Sequence, residues 1–217
     1  MQEEFINVAS HEIKTPTQVI LGYSELLLAE PEKYKDMVPV IHRSASRLQR
    51  LTNDILDVTR IESHALKLNK EKFNLTELIC NIVEDVRNHI QNKGSCAVVM
   101  YEPKGNIVIA ADKARIMQVV SNLLNNAIRF TREGNIDVHV VQEQKEVVVT
   151  VKDTGTGIDS EILPRLFTKF TTSKSSLGGT GLGLFISKSI IEAHGGRMWA
   201  ENNAHGKGAK FAFSIPL

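Results

Sequence analysis

Ala9-Ser10-His11-Glu12-Ile13-Lys14-Thr15-Pro16 sits inside a long stretch whose apolar residues return every three or four positions. Phe5, Val8, Ala9, Ile13, Pro16, Val19, Ile20, Tyr23, Leu26 and Leu27 share one arc of a helical wheel; His11, Thr15, Gln18 and Gly22 lie on the other. The spacing predicts an amphipathic helix to about Leu28 with His11 on its solvent side. A neutral imidazole there is an accessible nucleophile near pH 7. Glu12 follows directly, placed to hold the ring tautomer or take its proton. The Thr15 hydroxyl, one turn on, reaches the same space. On an ideal wheel Glu12 falls at the edge of the apolar arc, so its reach depends on a bend expected at Pro16. A lone surface histidine is usually just solvated. His42, His64, His89, His139, His194 and His205 are read as structural or solvated.

Outward from this helix, Ala29-Glu30-Pro31-Glu32 reads as a turn, with Pro31 near the start of a second helix to about Ser63. Met37, Ile41, Leu48, Leu51, Ile55 and Val58 repeat like a coiled-coil seam. Two such helices form an antiparallel hairpin. Alone it buries little, so pairing with a second copy into a four-helix bundle is expected, and residues 1–64 predict a homodimer. The alternative is that the hairpin packs on the rest of its own chain.

A connector at 65–69 leads into residues 70–217. Leu66-Lys67-Leu68 and Glu71-Lys72-Phe73 look strand-like. A helix opens at Asn74-Leu75-Thr76-Glu77, and another is capped by Asp112 and runs to Phe130. Strands are predicted at Cys96–Tyr101, 107–110, 136–142 and 146–152. A helix from about Gly181 to Ala193 and a hairpin over 197–215 follow. Adjacent antiparallel strands mixed with helices argue for an α/β sandwich, making the whole chain α+β.

The 217 residues, 42% of them hydrophobic, allow one large or two modest domains. A net charge of +1 gives no reason to invoke nucleic acid. Cys80 and Cys96 match no metal spacing and are read as reduced core thiols of a cytoplasmic protein. No apolar run is long enough to span a membrane. The chain opens in mid-helix, so it is expected to be a fragment, and any sensor or membrane anchor would lie upstream.

Five stretches of the second half have to be read together for chemistry. On one helix, Asn122 and Asn126 share a face, with Arg129 three further on. Amide oxygens ligate Mg²⁺ and arginine meets phosphate, although a plain polar face has the same pattern. Asp153-Thr154-Gly155-Thr156-Gly157 follows a strand. Its carboxylate can accept from an exocyclic amine such as that of adenine, or merely cap a tight turn. Leu166-Phe167-Thr168-Lys169-Phe170 reads mostly as packing. Gly178-Gly179-Thr180-Gly181-Leu182-Gly183-Leu184 leads into a helix, an anion site through free N–H groups. The polar run Thr171 to Leu177 before it is lid-like, with Lys174 its one charge. Gly206-Lys207-Gly208-Ala209 reads as a hairpin turn. There is no Walker-type, protein-kinase or Rossmann signature.

In this order and spacing the stretches resemble the catalytic core of two-component sensor histidine kinases over nearly the whole chain. There is an H box at His11, an N box at Asn122 to Phe130 and an aspartate–glycine box at Asp153 to Gly157. Phe167 and Phe170 form a phenylalanine box, and Gly179 to Gly183 a glycine box. The resemblance implies a phosphoacceptor hairpin and an ATP-binding sandwich of the gyrase, Hsp90 and MutL type. It implies His11 as phosphohistidine, Glu12 as general base and Thr15 as the residue that positions water for dephosphorylating a partner. Asn126 would be the Mg²⁺ ligand. Asn122, Arg129 and Lys174 would lie by the phosphates and Asp153 at adenine, with Gly155, Gly157, Gly179, Thr180, Gly181, Leu182 and Gly183 shaping the ATP pocket and lid. The expected activity is ATP-dependent autophosphorylation, phosphotransfer to an aspartate of a response regulator receiver domain, and phosphatase action on that regulator. Thr154 stands where asparagine is usual and Arg129 where lysine is, and the lid has no arginine. Hydrolysing relatives carry a glutamate at the position of Asn122, which is a poor base.

Overall fold

The computed structural model describes residues 2–92, 96–103, 105–172, 179–204 and 207–217. Helix α1 (Gln2–Ala29) runs unbroken through a buried Pro16. A 3-10 turn at Pro31–Lys33 hands the chain to α2 (Tyr34–Glu62), which returns antiparallel alongside α1. The remaining elements are β1 (Glu71–Asn74), α3 (Leu75–Asn92), β2 (Cys96–Tyr101), β3 (Val108–Ala111), α4 (Lys113–Phe130), β4 (Glu133–Gln142), β5 (Glu146–Asp153), α5 (Gly183–Ala193), β6 (Arg197–Asn202) and β7 (Ala209–Pro216).

The main sheet has the order β2-β4-β5-β7-β6, with β2 parallel to β4 and the other pairs antiparallel; β1 and β3 form a separate ribbon. Strict alternation in β5 puts Val147, Val149 and Val151 under the helices. There they join Ile116, Val120, Leu123, Leu124, Ile186 and Ile190 in one core. That alternation makes the sandwich, because it gives β5 a single greasy face for the helices to cover.

The hairpin has no such core of its own. In the expected apolar arc of α1, Ala9 and Pro16 are buried, but Ile13, Tyr23 and Leu26 are exposed. On α2, Leu51 and Val58 are fully buried, but in the core of the sandwich. So the lower half of α2 packs on its own chain, while Ile13, Leu21, Tyr23 and Leu26 of α1 remain open.

Two expectations change. Leu66-Lys67-Leu68 is not a strand: the ribbon pairs only residues 71–74 with 108–111, and Leu66 packs against the core from an irregular connector. Cys96 is exposed, since alternation in β2 turns it away from the helices. His194 is buried. It accepts from the Asp112 amide through Nε2 at 3.0 Å, and Nδ1 lies 2.8 Å from the Ile190 carbonyl. Asp112 caps α4 as expected, accepting from the amides of Arg115 and Asn69. Burial favours an uncharged Asp112, but these bonds outweigh it and hold the carboxyl below its usual range. His205 lies outside the described residues. Among the described residues no helix is long and apolar enough to cross a membrane.

Burial pushes the His194 pKa below its ordinary value, and the Asp112 amide needs a neutral acceptor. The unfolded chain therefore binds the extra proton. The stabilisation is complete above about pH 6.5 and is lost as pH falls through that value toward the lower folded pKa. Urea unfolding at pH 7.5 and 5.5 should show wild type losing more stability than His194→Gln. Equal losses would contradict this role.

Candidate functional site

On α1 the His11 side chain is 79% exposed, and its Nδ1 lies 3.9 Å from Glu12 Oε1. The other carboxylate oxygen, Oε2, accepts from Arg47 Nη2 of α2 at 2.8 Å. The ion pair across the hairpin thus anchors Glu12 and leaves Oε1 on the side of the imidazole. The Thr15 hydroxyl donates to the His11 carbonyl at 3.2 Å, as a threonine one turn along a helix can.

The second half of the site starts on α4. Asn122 Nδ2 donates to Ser187 Oγ of α5 at 3.0 Å. A Cβ on Gly183 would stand 2.5 Å from Asn122 Oδ1, so the start of α5 is pressed against that amide. Asn126 is half-buried, and its side-chain amide bonds to none of the described residues. Arg129 lies over the Phe130 ring, 5.5 Å from its centroid. Its Nη2 is sealed from solvent with no partner among the described residues. Burial, with the charge of Arg47, pushes the pKa of Arg129 down, although an arginine remains a cation. Gly179 lies so near that a Cβ there would meet Arg129 Nη1 at 2.3 Å.

Asp153 ends β5 in the core, and burial raises its pKa. Its Oδ1 accepts from the amides of Gly155 at 2.8 Å and Ala209 at 3.3 Å. Its Oδ2 takes no donor among the described residues, leaving that oxygen free to accept. Thr156 donates its amide to the Phe130 carbonyl, tying this loop to the end of α4. Gly181, at φ +68, approaches the backbone of Phe170 so closely that a Cβ would sit 2.6 Å away. Phe167 and Phe170 pack against the core, as their stretch suggested. Leu182 is fully buried, leaving only its backbone for the site. Lys174 and Gly178 lie outside the described residues.

α4, the Asp153 loop and the glycine turn therefore form one cradle, and it meets α2. Thr180 Oγ1 donates to Asp54 Oδ2 at 2.9 Å, and Arg115 and Gln118 of α4 both bond the buried Asp57 carboxylate. Lys169 pairs with Glu62.

Sequence reading missed several of these residues. Asn202 brackets the loop through the Ile158 amide and carbonyl, and Asn203 donates to the carbonyls of Asp153 and Lys207. The buried Thr131 hydroxyl, beside Gly155, has no partner among the described residues. A pair of asparagines after a strand signals a turn at most, and nothing local marks Arg47, Asp54 or Ser187.

The unpartnered groups suit an adenine nucleotide. A free carboxylate oxygen can accept from an exocyclic amine, arginine N–H groups meet phosphate, and an amide oxygen can ligate Mg²⁺. A separate open groove of about 690 Å³ beside Glu143–Glu146 and Gly195–Arg197 shares none of these residues.

Comparison with known proteins points the same way. The family model of the His Kinase A (phospho-acceptor) domain matches residues 1–64, and that of the histidine kinase-, DNA gyrase B- and HSP90-like ATPase matches residues 111–217. The whole chain is 34% identical to the autoinducer 2 sensor kinase/phosphatase LuxQ of Vibrio cholerae and to the sensor protein SrrB of Staphylococcus aureus. It spans only 26% and 38% of their respective lengths. The solved complex of histidine kinase ThkA with response regulator TrrA is 30% identical with a TM-score of 0.69, over 98% of this chain and 61% of that one. The AMPPNP complex of ShkA is 25% identical with a TM-score of 0.71, over 99% and 45%.

Gly155 tests the cradle. A Cβ there would lie 2.3 Å from the Phe130 carbonyl oxygen, a backbone atom that cannot swing aside. Gly155→Ala should cost about 1–3 kcal/mol in urea unfolding. Wild-type stability would show that the loop has room the structure denies it.

Proposed function

The chain belongs to the sensor histidine kinases, and on that premise we propose that it transfers the γ-phosphoryl group of ATP to His11 and then to an aspartate of a response regulator receiver domain. The observation that carries this reading is the pairing of an exposed imidazole, beside an anchored carboxylate, with a nucleotide-type cradle lodged against the same hairpin.

Glu12 Oε1 faces Nδ1, so Nε2 is the nitrogen whose lone pair attacks phosphorus. The N–P bond forms as the bond from phosphorus to the β–γ bridging oxygen breaks. ADP departs, and the Nδ1 proton passes to Glu12. The 3.9 Å separation must close, which side-chain rotation allows. Positioning and charge neutralisation supply most of the rate. Asp153 reads the adenine amine, and Asn122, Arg129 and Lys174 lie by the phosphates. Thr180, the backbone of Leu182 and the glycines at 155, 157, 179, 181 and 183 shape the pocket. Asn126 holds Mg²⁺, whose charge would offset that of the phosphate oxygens.

Residues 1–64 act as the phosphoacceptor and dimerisation domain, 65–69 as linker and 70–217 as the ATP-binding domain. Support for a homodimer comes from Ile13, Leu21, Tyr23 and Leu26, large apolar residues left open on α1. Burying each would gain about 1.5–3 kcal/mol. The receiver domain docks near Ile20 and Tyr23. Thr15 serves dephosphorylation of that regulator, once its hydroxyl leaves the His11 carbonyl. Simple ATP hydrolysis is the weaker reading: Asn122 replaces a catalytic glutamate, and its amide is engaged with Ser187.

Incubation with γ-labelled ATP should leave an acid-labile, alkali-stable phosphate on the protein that His11→Gln abolishes. Steady phosphate release without labelled protein would favour the hydrolase instead. Asn126→Asp should abolish nucleotide binding in calorimetry, and unchanged affinity would remove it as the metal ligand. Thr15→Ala should label normally yet dephosphorylate the regulator more slowly.

A further inference from the structure

Arg47 has no place in the motifs above, yet it stands where hairpin and cradle meet. Its Nη2 holds Glu12, the neighbour of His11, at 2.8 Å. Two turns further along α2, Asp54 accepts the Thr180 hydroxyl. The residue before Thr180, Gly179, is the one pressed on Arg129 Nη1. Arg129 therefore sits by the face of α2 that carries Arg47 and Asp54. The Arg47 charge acts on Arg129, helping to lower its pKa. Two guanidinium groups therefore lie within electrostatic reach of each other where hairpin and cradle meet. Glu12 is the only carboxylate bonded to Arg47 among the described residues, and none is bonded to Arg129, whose buried Nη2 is unpartnered. Like charges gathered in a part-buried space repel until an anion enters. The run Thr171 to Leu177 offers one lysine and no arginine for the terminal phosphate.

We propose that Arg47 is a further catalytic residue: a cation carried by the hairpin that grips the γ-phosphoryl oxygens together with Arg129. It would exchange its bond to Glu12 for one to phosphate as His11 reaches the nucleotide. A guanidinium presents donors in a fixed fork that suits phosphate oxygens. The exchange also frees the Glu12 carboxylate to receive the imidazole proton at the moment of transfer. ADP lacks the γ-phosphoryl group, so it gains nothing from Arg47. This inference rests on the kinase reading above.

The test compares Arg47→Ala, Arg47→Gln and Arg47→Lys in labelling by ATP and in ADP affinity. Arg47→Ala should lower kcat about 100-fold, with ADP affinity kept within about twofold. Arg47→Lys, retaining the charge, should recover part of the rate. Arg47→Gln can still donate to Glu12 but has no charge, so it should fall nearly as far as alanine. If Arg47→Ala melts early, glutamine and lysine carry the comparison. Labelling of Arg47→Gln at the wild-type rate would overturn the proposal, leaving Arg47 only a support for Glu12. ADP affinity falling in step with the rate would also overturn it, since that marks a role in the cradle itself. If wild type carries no label on His11, the kinase reading fails as well. If wild type and all three variants label alike, this inference alone fails.

Discussion

The Asp57 carboxylate lies in the seam between hairpin and sandwich, almost wholly buried, and takes bonds from Arg115 Nη1 to both oxygens at 2.9 Å and from Gln118 Nε2 at 2.8 Å. A charge in that position tolerates no loss of partners: removing one side of a buried pair costs about 3–5 kcal/mol. An exposed pair such as Arg197–Glu146 contributes about 1 kcal/mol at most. The difference makes Asp57 a device for register more than for strength. Leu51 and Val58 supply adhesion along the same stretch of α2, and the carboxylate selects where on α2 the sandwich sits. Everything that brings His11 and the cradle into one assembly depends on that choice.

Above this seam the contacts change character. Asp54 with Thr180 and Glu12 with Arg47 are part-buried, each holding one acceptor by one donor, and are cheaper to exchange. A phosphoryl-transfer site needs that gradient. The scaffold must be rigid enough to aim an imidazole, while the groups that meet the phosphate must move when substrate arrives. Asp153 is fixed in a similar way inside the sandwich: two amides bond its Oδ1 and hold the carboxylate in one orientation.

Much of the architecture is local in origin. The three-and-four periodicity of α1 and α2, the Asp112 cap and the alternation of β5 each follow from residues close in sequence, which is why those elements were legible before any coordinates. Where a residue's fate rests on a distant neighbour, the reading failed or fell silent. Leu66 and Leu68 alternate like a strand but have no strand to pair with. Cys96 is apolar enough for a core, but the parity of β2 points it outward. For His194 the sequence leaves structural and solvated both open until α5 delivers it to the Asp112 amide, 82 residues away in sequence.

The sequence by itself determined the kinds of groups present and their order. An imidazole, a carboxylate, a ladder of asparagines, a buried-strand aspartate and glycines where backbone must approach are enough to name the family. The tertiary structure decided which of them face each other. It paired Arg47 with Glu12, gave Asn122 to Ser187, and placed Thr180 on Asp54. Such pairings arise from the packing of α1 on α2, of α4 on α5, and of α2 on α5 with the turn before it. Helical periodicity shows which side of each helix is apolar, but the polar residues beside that stripe meet their partners only once the helices have docked.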